Sequence, residues 1–221
     1  MTGSRPENSL VADEALVFGA RVEDVLTLLE WKRSIFQLYQ EIRGEAPRTA
    51  WKHWRDVRDG LFREHPQSPL TPADRESFSG LDYFPYDESW RVLAEVVPVA
   101  PEPVSIGASG RNAVAFERFG RALFGVSGQM LELDLYWLEG YGGGLFLPFA
   151  DTTSGVETYP SGRYLLDTVK GADLGSVDAK LVLDFNFAYN PSCAYDPHWV
   201  CPLAPPANQL PVPVRAGERW P

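Results

Sequence analysis

No apolar run in this sequence approaches the ~18 residues that a membrane-spanning helix needs, so no membrane partner is expected. Cysteine is scarce: Cys193 and Cys201 are the two present, too few for a secreted disulfide scaffold. Met1 to Glu7 carry no apolar stretch of secretory type. A cytoplasmic protein is the expectation. Positive charge is in the minority, 20 Lys and Arg against 30 Asp and Glu, for a formal net charge of −10. A nucleic-acid binder needs a basic stripe to neutralise phosphates, and anionic lipid favours basic segments, so neither partner is expected. A P-loop, a dinucleotide fingerprint and a zincin motif are all missing, which argues against a nucleotide-hydrolysing motor, a Rossmann oxidoreductase and a zincin. Strand–helix–strand alternation is missing too, so a doubly wound sheet is not expected.

What is there fits an ordinary globular chain. Of 221 residues, 44% are hydrophobic and 23% charged. The 19 prolines and 19 glycines imply many turns. From Val22, the spacing of Leu28, Trp31, Ile35, Leu38 and Ile42 predicts one face of a helix that Gly44 and Pro47 end. A second helix is expected from near Thr49, with Trp51, Trp54, Val57 and Leu61 inward and Arg55, Arg58 and Asp59 in water. Thr71-Pro72-Ala73-Asp74 is a start signal for a short third helix. After Gly80 the period changes. Strands are expected at Arg91 to Val97, closed by Pro98, Pro101 and Pro103, and at Ala113 to Phe119 and Arg121 to Val126. Further strands are expected at Gln129 to Leu138, Leu145 to Phe149 and Leu181 to Tyr189, the first and last by period-two alternation. The expectation is one α+β domain over residues 1–221. It has a flexible start (1–20), a helical part (21–80) and a β-rich part (81–221). The helices would pack on an antiparallel β-barrel or sandwich, with a Pro-rich C-terminal wrap.

Three stretches carry a resemblance: WRDVRDGLFREHPQSPL with FSGLDYFPYD (Trp54 to Asp87), LFLPFADTTSG with ETYPSGRYL (Leu145 to Leu165), and the long run from Leu183 to Glu218. They resemble an uncharacterised bacterial and archaeal family, domain of unknown function 1684. The resemblance spans the chain from the second helix onward, and it implies no activity. The family pattern carries Glu where this chain has Ala207, ahead of Asn208.

Candidate site residues cluster in the same stretches. On the expected strand Leu181 to Tyr189, Asp184 and Asn186 share the face opposite Leu183, Phe185 and Phe187. That face is either solvated or lines a pocket, with Tyr189, Asn190, Tyr195 and Arg163 converging on it. Asp184 would be a general base or ligand anchor, and Arg163, next to Tyr164 after a Gly turn, would clamp an anionic group. Its bland alternative is a structural pair with Asp151, Asp167 or Asp184. Asp151-Thr152-Thr153-Ser154-Gly155 is a turn, or a turn carrying a catalytic Asp. Cys193, His198 and Cys201 lie at Cys-x4-His-x2-Cys spacing. They are buried thiols, a redox pair or, least in keeping with paired knuckles, a metal site. The leading expectation is an enzyme or binder for a small polar metabolite, its cofactor unspecified. The alternatives are a non-catalytic interaction module, with the aromatic helices forming a homo-oligomer or partner surface, and a flavin-binding barrel.

Overall fold

A computed structural model of the chain describes residues 16–17, 20–109 and 113–220. The flexible start expected over residues 1–20 lies outside them, apart from Leu16, Val17 and Ala20, whose backbone helps form the pair β1 (Leu16–Val17) and β2 (Ala20–Arg21).

Helix α1 (Val22–Ile42) follows the expected span and buries Ile35, Leu38, Tyr39 and Ile42. Helix α2 (Pro47–Glu64) starts earlier than expected, because Pro47 occupies its first turn, where a missing N–H costs nothing. Its buried stripe is Ala50, Trp51, Trp54, Arg58 and Phe62. Arg58 therefore corrects the expectation: it lies in the stripe, not in water. In helix α3 (Pro72–Glu76) the Thr71 hydroxyl accepts the Asp74 N–H at 3.2 Å, as its start signal predicts. None of the helices among the described residues is long and apolar enough to cross a membrane.

The β-rich part is one antiparallel sheet of seven strands. They are β3 (Arg91–Gly107), β4 (Ala113–Val126), β5 (Gln129–Leu138), β6 (Leu145–Phe149), β7 (Arg163–Asp167), β8 (Ser176–Val177) and β9 (Lys180–Asp184). The order is β7-β6-β5-β4-β3-β9-β8. The fold is α+β, and the sheet does not close into the expected barrel. β3 runs through all three prolines that were expected to end it. β9 pairs only with Arg91 to Ala94, so beyond that point β3 is bonded on its β4 side alone, and an edge tolerates prolines. β4 is one strand with an irregularity between Arg118 and Gly120, where two strands were expected.

The expected strand Leu181 to Tyr189 is broken. β9 ends at Asp184, whose carboxylate accepts the Asn186 N–H at 3.0 Å and starts a 3₁₀ turn, Phe185–Phe187. The turn splits the apolar residues between two cores. Phe185 joins Leu133, Leu147, Leu165 and Leu183 with Leu210, Val214 and Ala216 of the C-terminal segment. Phe187 joins Trp51, Trp54 and Phe62 under the helices.

Candidate functional site

Asn186 is fully buried and fully used. Its Nδ2 donates to the Asp87 carbonyl and to Asp184 Oδ1, both at 2.8 Å, and its Oδ1 accepts the Asp87 N–H at 2.9 Å. Trp51 Nε1 of α2 donates to its carbonyl at 3.0 Å. Asp184 is held by these bonds and by Arg91 at 3.7 Å. Burial raises its pKa to about 6. It lines a small crevice of about 30 Å³ with Arg43 and Glu45, on the far side of Phe187 from Tyr189 in the chain.

Arg163 of β7 is equally absorbed. Nη2 donates to Asp151 Oδ2 and the Val214 carbonyl at 2.9 Å each, and Nη1 to the carbonyls of Ala216 and Glu218 at 2.5 and 3.2 Å. Asp151 Oδ1 accepts from the N–H and hydroxyl of Thr153 at 2.7 and 2.6 Å and from the Val214 N–H at 3.2 Å. The pair staples the C-terminal segment to β7 and to the turn after β6. Burial lowers the Arg163 pKa and Asp151 opposes the shift.

The other candidates gather elsewhere. Tyr164, Tyr189, Asn190 and Tyr195 line a cavity of about 70 Å³ under α1 and α2. The helices add Trp31, Ile35, Tyr39, Trp54, Arg58 and Phe62 to its wall. Through Trp31, Pro69, Lys170 and Ser192 the cavity shares its wall with a groove of about 340 Å³, which Leu28, Lys32, Val169, Trp199 and Val200 also line. The whole chain has four lysines, and two of them, Lys32 and Lys170, lie on this groove.

Arg58 is the residue that sequence reasoning missed. Its guanidinium is packed among the rings of Trp54, Tyr189 and Phe62, at 4.8, 5.1 and 5.2 Å. Nε donates to the Tyr83 hydroxyl at 3.2 Å and Nη2 to Glu218 Oε2 at 2.9 Å. No hydrogen bond engages Nη1 among the described residues. Glu218 is buried behind Arg58; its Oε2 also accepts the Asn190 N–H at 3.1 Å, and Tyr195 donates to its Oε1. Burial raises the Glu218 pKa to about 7, against the pull of Arg58. Burial disfavours the charge of Arg58, but Tyr83 and Glu218 outweigh it and hold its pKa up. Asn190 donates Nδ2 to the Arg219 carbonyl at 2.8 Å, while its Oδ1 is buried with no partner. The Tyr39 hydroxyl accepts from Trp54 Nε1 at 3.1 Å and keeps its proton for another acceptor. Burial pushes the pKa of both Tyr39 and Tyr189 upward, so both stay protonated donors. The signal for Arg58 was in the spacing: it follows Trp54 by four residues and precedes Phe62 by four, on one helical stripe. Glu218 had only its place at the end of the family-like run.

The two thiols lie near enough for each to shift the other's protonation. His198 does not join them: it is exposed and its ring packs on Trp199. Among the described residues no three His, Cys, Asp or Glu gather to hold a metal.

A family described as protein of unknown function, DUF1684, matches residues 76–219. No curated protein matches the chain. Among solved structures, the solution NMR structure of an uncharacterized protein of Haloarcula marismortui is 37% identical, covering 78% of this chain and 93% of that one with a TM-score of 0.57.

Proposed function

Because the chain belongs to the DUF1684 family, which is one of unknown function, we propose from the geometry a binding role: a small organic anion sits with its charged head beside Arg58 and its apolar body along the groove. One observation carries this reading. Arg58 is a buried cation with an unengaged N–H edge on a cavity wall. That edge is reached from the cavity, so an anionic acceptor placed there forms a charge-assisted hydrogen bond, worth on the order of 1.5–3 kcal/mol. The surroundings suit an anion. Lys170 and Lys32 flank the groove in a chain of net charge −10. The raised pKa of Glu218 leaves Arg58 only partly neutralised near pH 7. The polar residues lining the cavity include the cation, the phenols Tyr39 and Tyr189, and Asn190, whose Oδ1 has no partner. These are recognition groups, which supports binding over catalysis. The cavity holds a head group only, and the 340 Å³ groove is of the size that takes a ligand's body.

Calorimetric titration with octanoate, and with octanamide as its uncharged counterpart, tests the reading. Octanoate is expected to bind at least about tenfold more tightly than octanamide, a difference of ~1.4 kcal/mol. Arg58→Met is expected to remove that preference while the protein still unfolds cooperatively. Equal binding of acid and amide, or an unchanged preference in the variant, overturns the assignment.

A further inference from the structure

We infer that Cys193 and Cys201 form an oxidisable dithiol site, in which Cys193 reacts first with a hydroperoxide and Cys201 resolves the product to an intramolecular disulfide. The geometry carries this. Both side chains are buried, eight residues apart on one loop, and each thiol is the strongest influence on the other's protonation. Neither is paired in a disulfide. Cys193 sits in the 3₁₀ turn Ser192–Ala194, with the Tyr159 hydroxyl 3.7 Å from its sulfur. Cys201 is pinned by backbone: its N–H donates to Ser109 Oγ and its carbonyl accepts the Ser109 N–H, both at 2.9 Å. It also lines the groove. Neighbouring sulfurs on one short loop need little chain movement to bond.

The two thiols are not equivalent. The hydrogen bond from Cys201 holds the Cys193 thiol down at about 6, against burial, while the same contact and burial push Cys201 up. A thiolate is the nucleophile in such chemistry, so Cys193 reacts and Cys201 waits as a thiol. In the first step the Cys193 thiolate attacks one oxygen of the hydroperoxide, the O–O bond breaks, and sulfenic acid forms with loss of hydroxide or alkoxide. In the second step Cys201 gives up its proton and its sulfur attacks Cys193 Sγ. The S–O bond breaks, water leaves, and the S–S bond forms. The protein loses two electrons and the peroxide gains them. The disulfide closes the loop that carries Tyr195, Trp199 and Val200 on the cavity and groove walls.

This site stands whether or not the cavity binds an anion, and its test does not use a ligand. The reduced wild-type protein is treated with hydrogen peroxide, denatured, alkylated with iodoacetamide and weighed intact. The expected product is a monomer that has lost two hydrogens and takes up no alkyl group, with both thiols restored by dithiothreitol. With dimedone present, Cys201→Ser is expected to be labelled at Cys193 and Cys193→Ser to stay unlabelled. Wild-type protein that still alkylates at both cysteines overturns the inference, and so does a disulfide between chains or stepwise oxidation to sulfinic acid without a disulfide. Because the first measurement needs no variant, a substitution that fails to fold leaves the test intact.

Discussion

Two buried arginine–carboxylate pairs lie within one network, and both close at 2.9 Å: Arg163 with Asp151 and Arg58 with Glu218. They meet at Glu218, whose carbonyl accepts from Arg163 and whose carboxylate accepts from Arg58. Around Arg163 every partner is protein, and three backbone carbonyls share the guanidinium with Asp151. Around Arg58 the partners run out, aromatic rings take their place, and a cavity begins. Burial of a charge therefore does not mark a site by itself. What separates scaffold from site is how much of the hydrogen-bonding capacity of the buried ion is used: both terminal nitrogens of Arg163 are bound, one of Arg58.

The sharpest way to break this comparison is to delete each cation. Arg163→Leu leaves the Asp151 carboxylate and three carbonyls stranded. It is expected to cost on the order of 3–5 kcal/mol in urea denaturation, the loss typical of breaking a buried pair. Arg58→Leu strands the Tyr83 hydroxyl and Glu218, which already takes up a proton near pH 7, and its expected cost is about 2 kcal/mol at that pH. If both variants lose equal stability, the distinction between the pairs fails.

The pH dependence sharpens it further. Glu218 titrates at about 7 in the fold against an ordinary 4.5, and Asp184 at about 6 against 3.8, in both cases because burial disfavours the charge. The fold therefore prefers the protonated acids. Their contribution is fully present below the ordinary values and is lost as pH rises to about 6 for Asp184 and about 7 for Glu218. Stability is expected to fall by up to about 3 kcal/mol per group across those windows. Glu218→Gln is expected to flatten the decline between pH 6 and 7, and Asp184→Asn the decline between about 4 and 6, in denaturation curves taken across the range. A stability that rises with pH over this window would contradict the burial argument.

How much of this was legible in the sequence follows from the same chemistry. The span of α1, the cap at Thr71, and strands β5 and β6 were legible because they depend on local period and local hydrogen bonds. The family was legible from the quoted runs. Tyr164, Tyr189, Asn190 and Tyr195 line one cavity, but Asp184, Asn186 and Arg163, expected to converge with them, do not. Arg58 was assigned to water because its charge outweighed its place in the Trp51, Trp54, Phe62 stripe. The break after Asp184 was hidden because the alternation continues through Phe185 and Phe187, while the event that ends the strand is a side chain capping a backbone N–H two residues on. The open sheet was hidden because closure depends on which strands pair, and β9 reaches β3 across the whole intervening chain.

The smallest expected effect is the finest test of the comparison, and it sets two asparagines side by side. Asn186 and Asn190 are four residues apart, both buried and both in the family-like run. Asn186 spends its amide on three bonds to Asp87 and Asp184, whereas Asn190, a cavity-lining residue, spends one, to the Arg219 carbonyl, and leaves Oδ1 buried without a partner. Asn186→Ala should cost about 2–3 kcal/mol, since it strands both backbone groups of Asp87. Asn190→Ala should cost about 1 kcal/mol or less, because removing an unsatisfied acceptor offsets the lost donor bond. Its effect should appear instead in the ligand titration, as a several-fold weaker affinity for carboxylates that also carry an N–H or O–H donor and no change for octanoate. An Asn190→Ala protein as unstable as Asn186→Ala would mean that Asn190 belongs to the scaffold and that the cavity has no acceptor of its own.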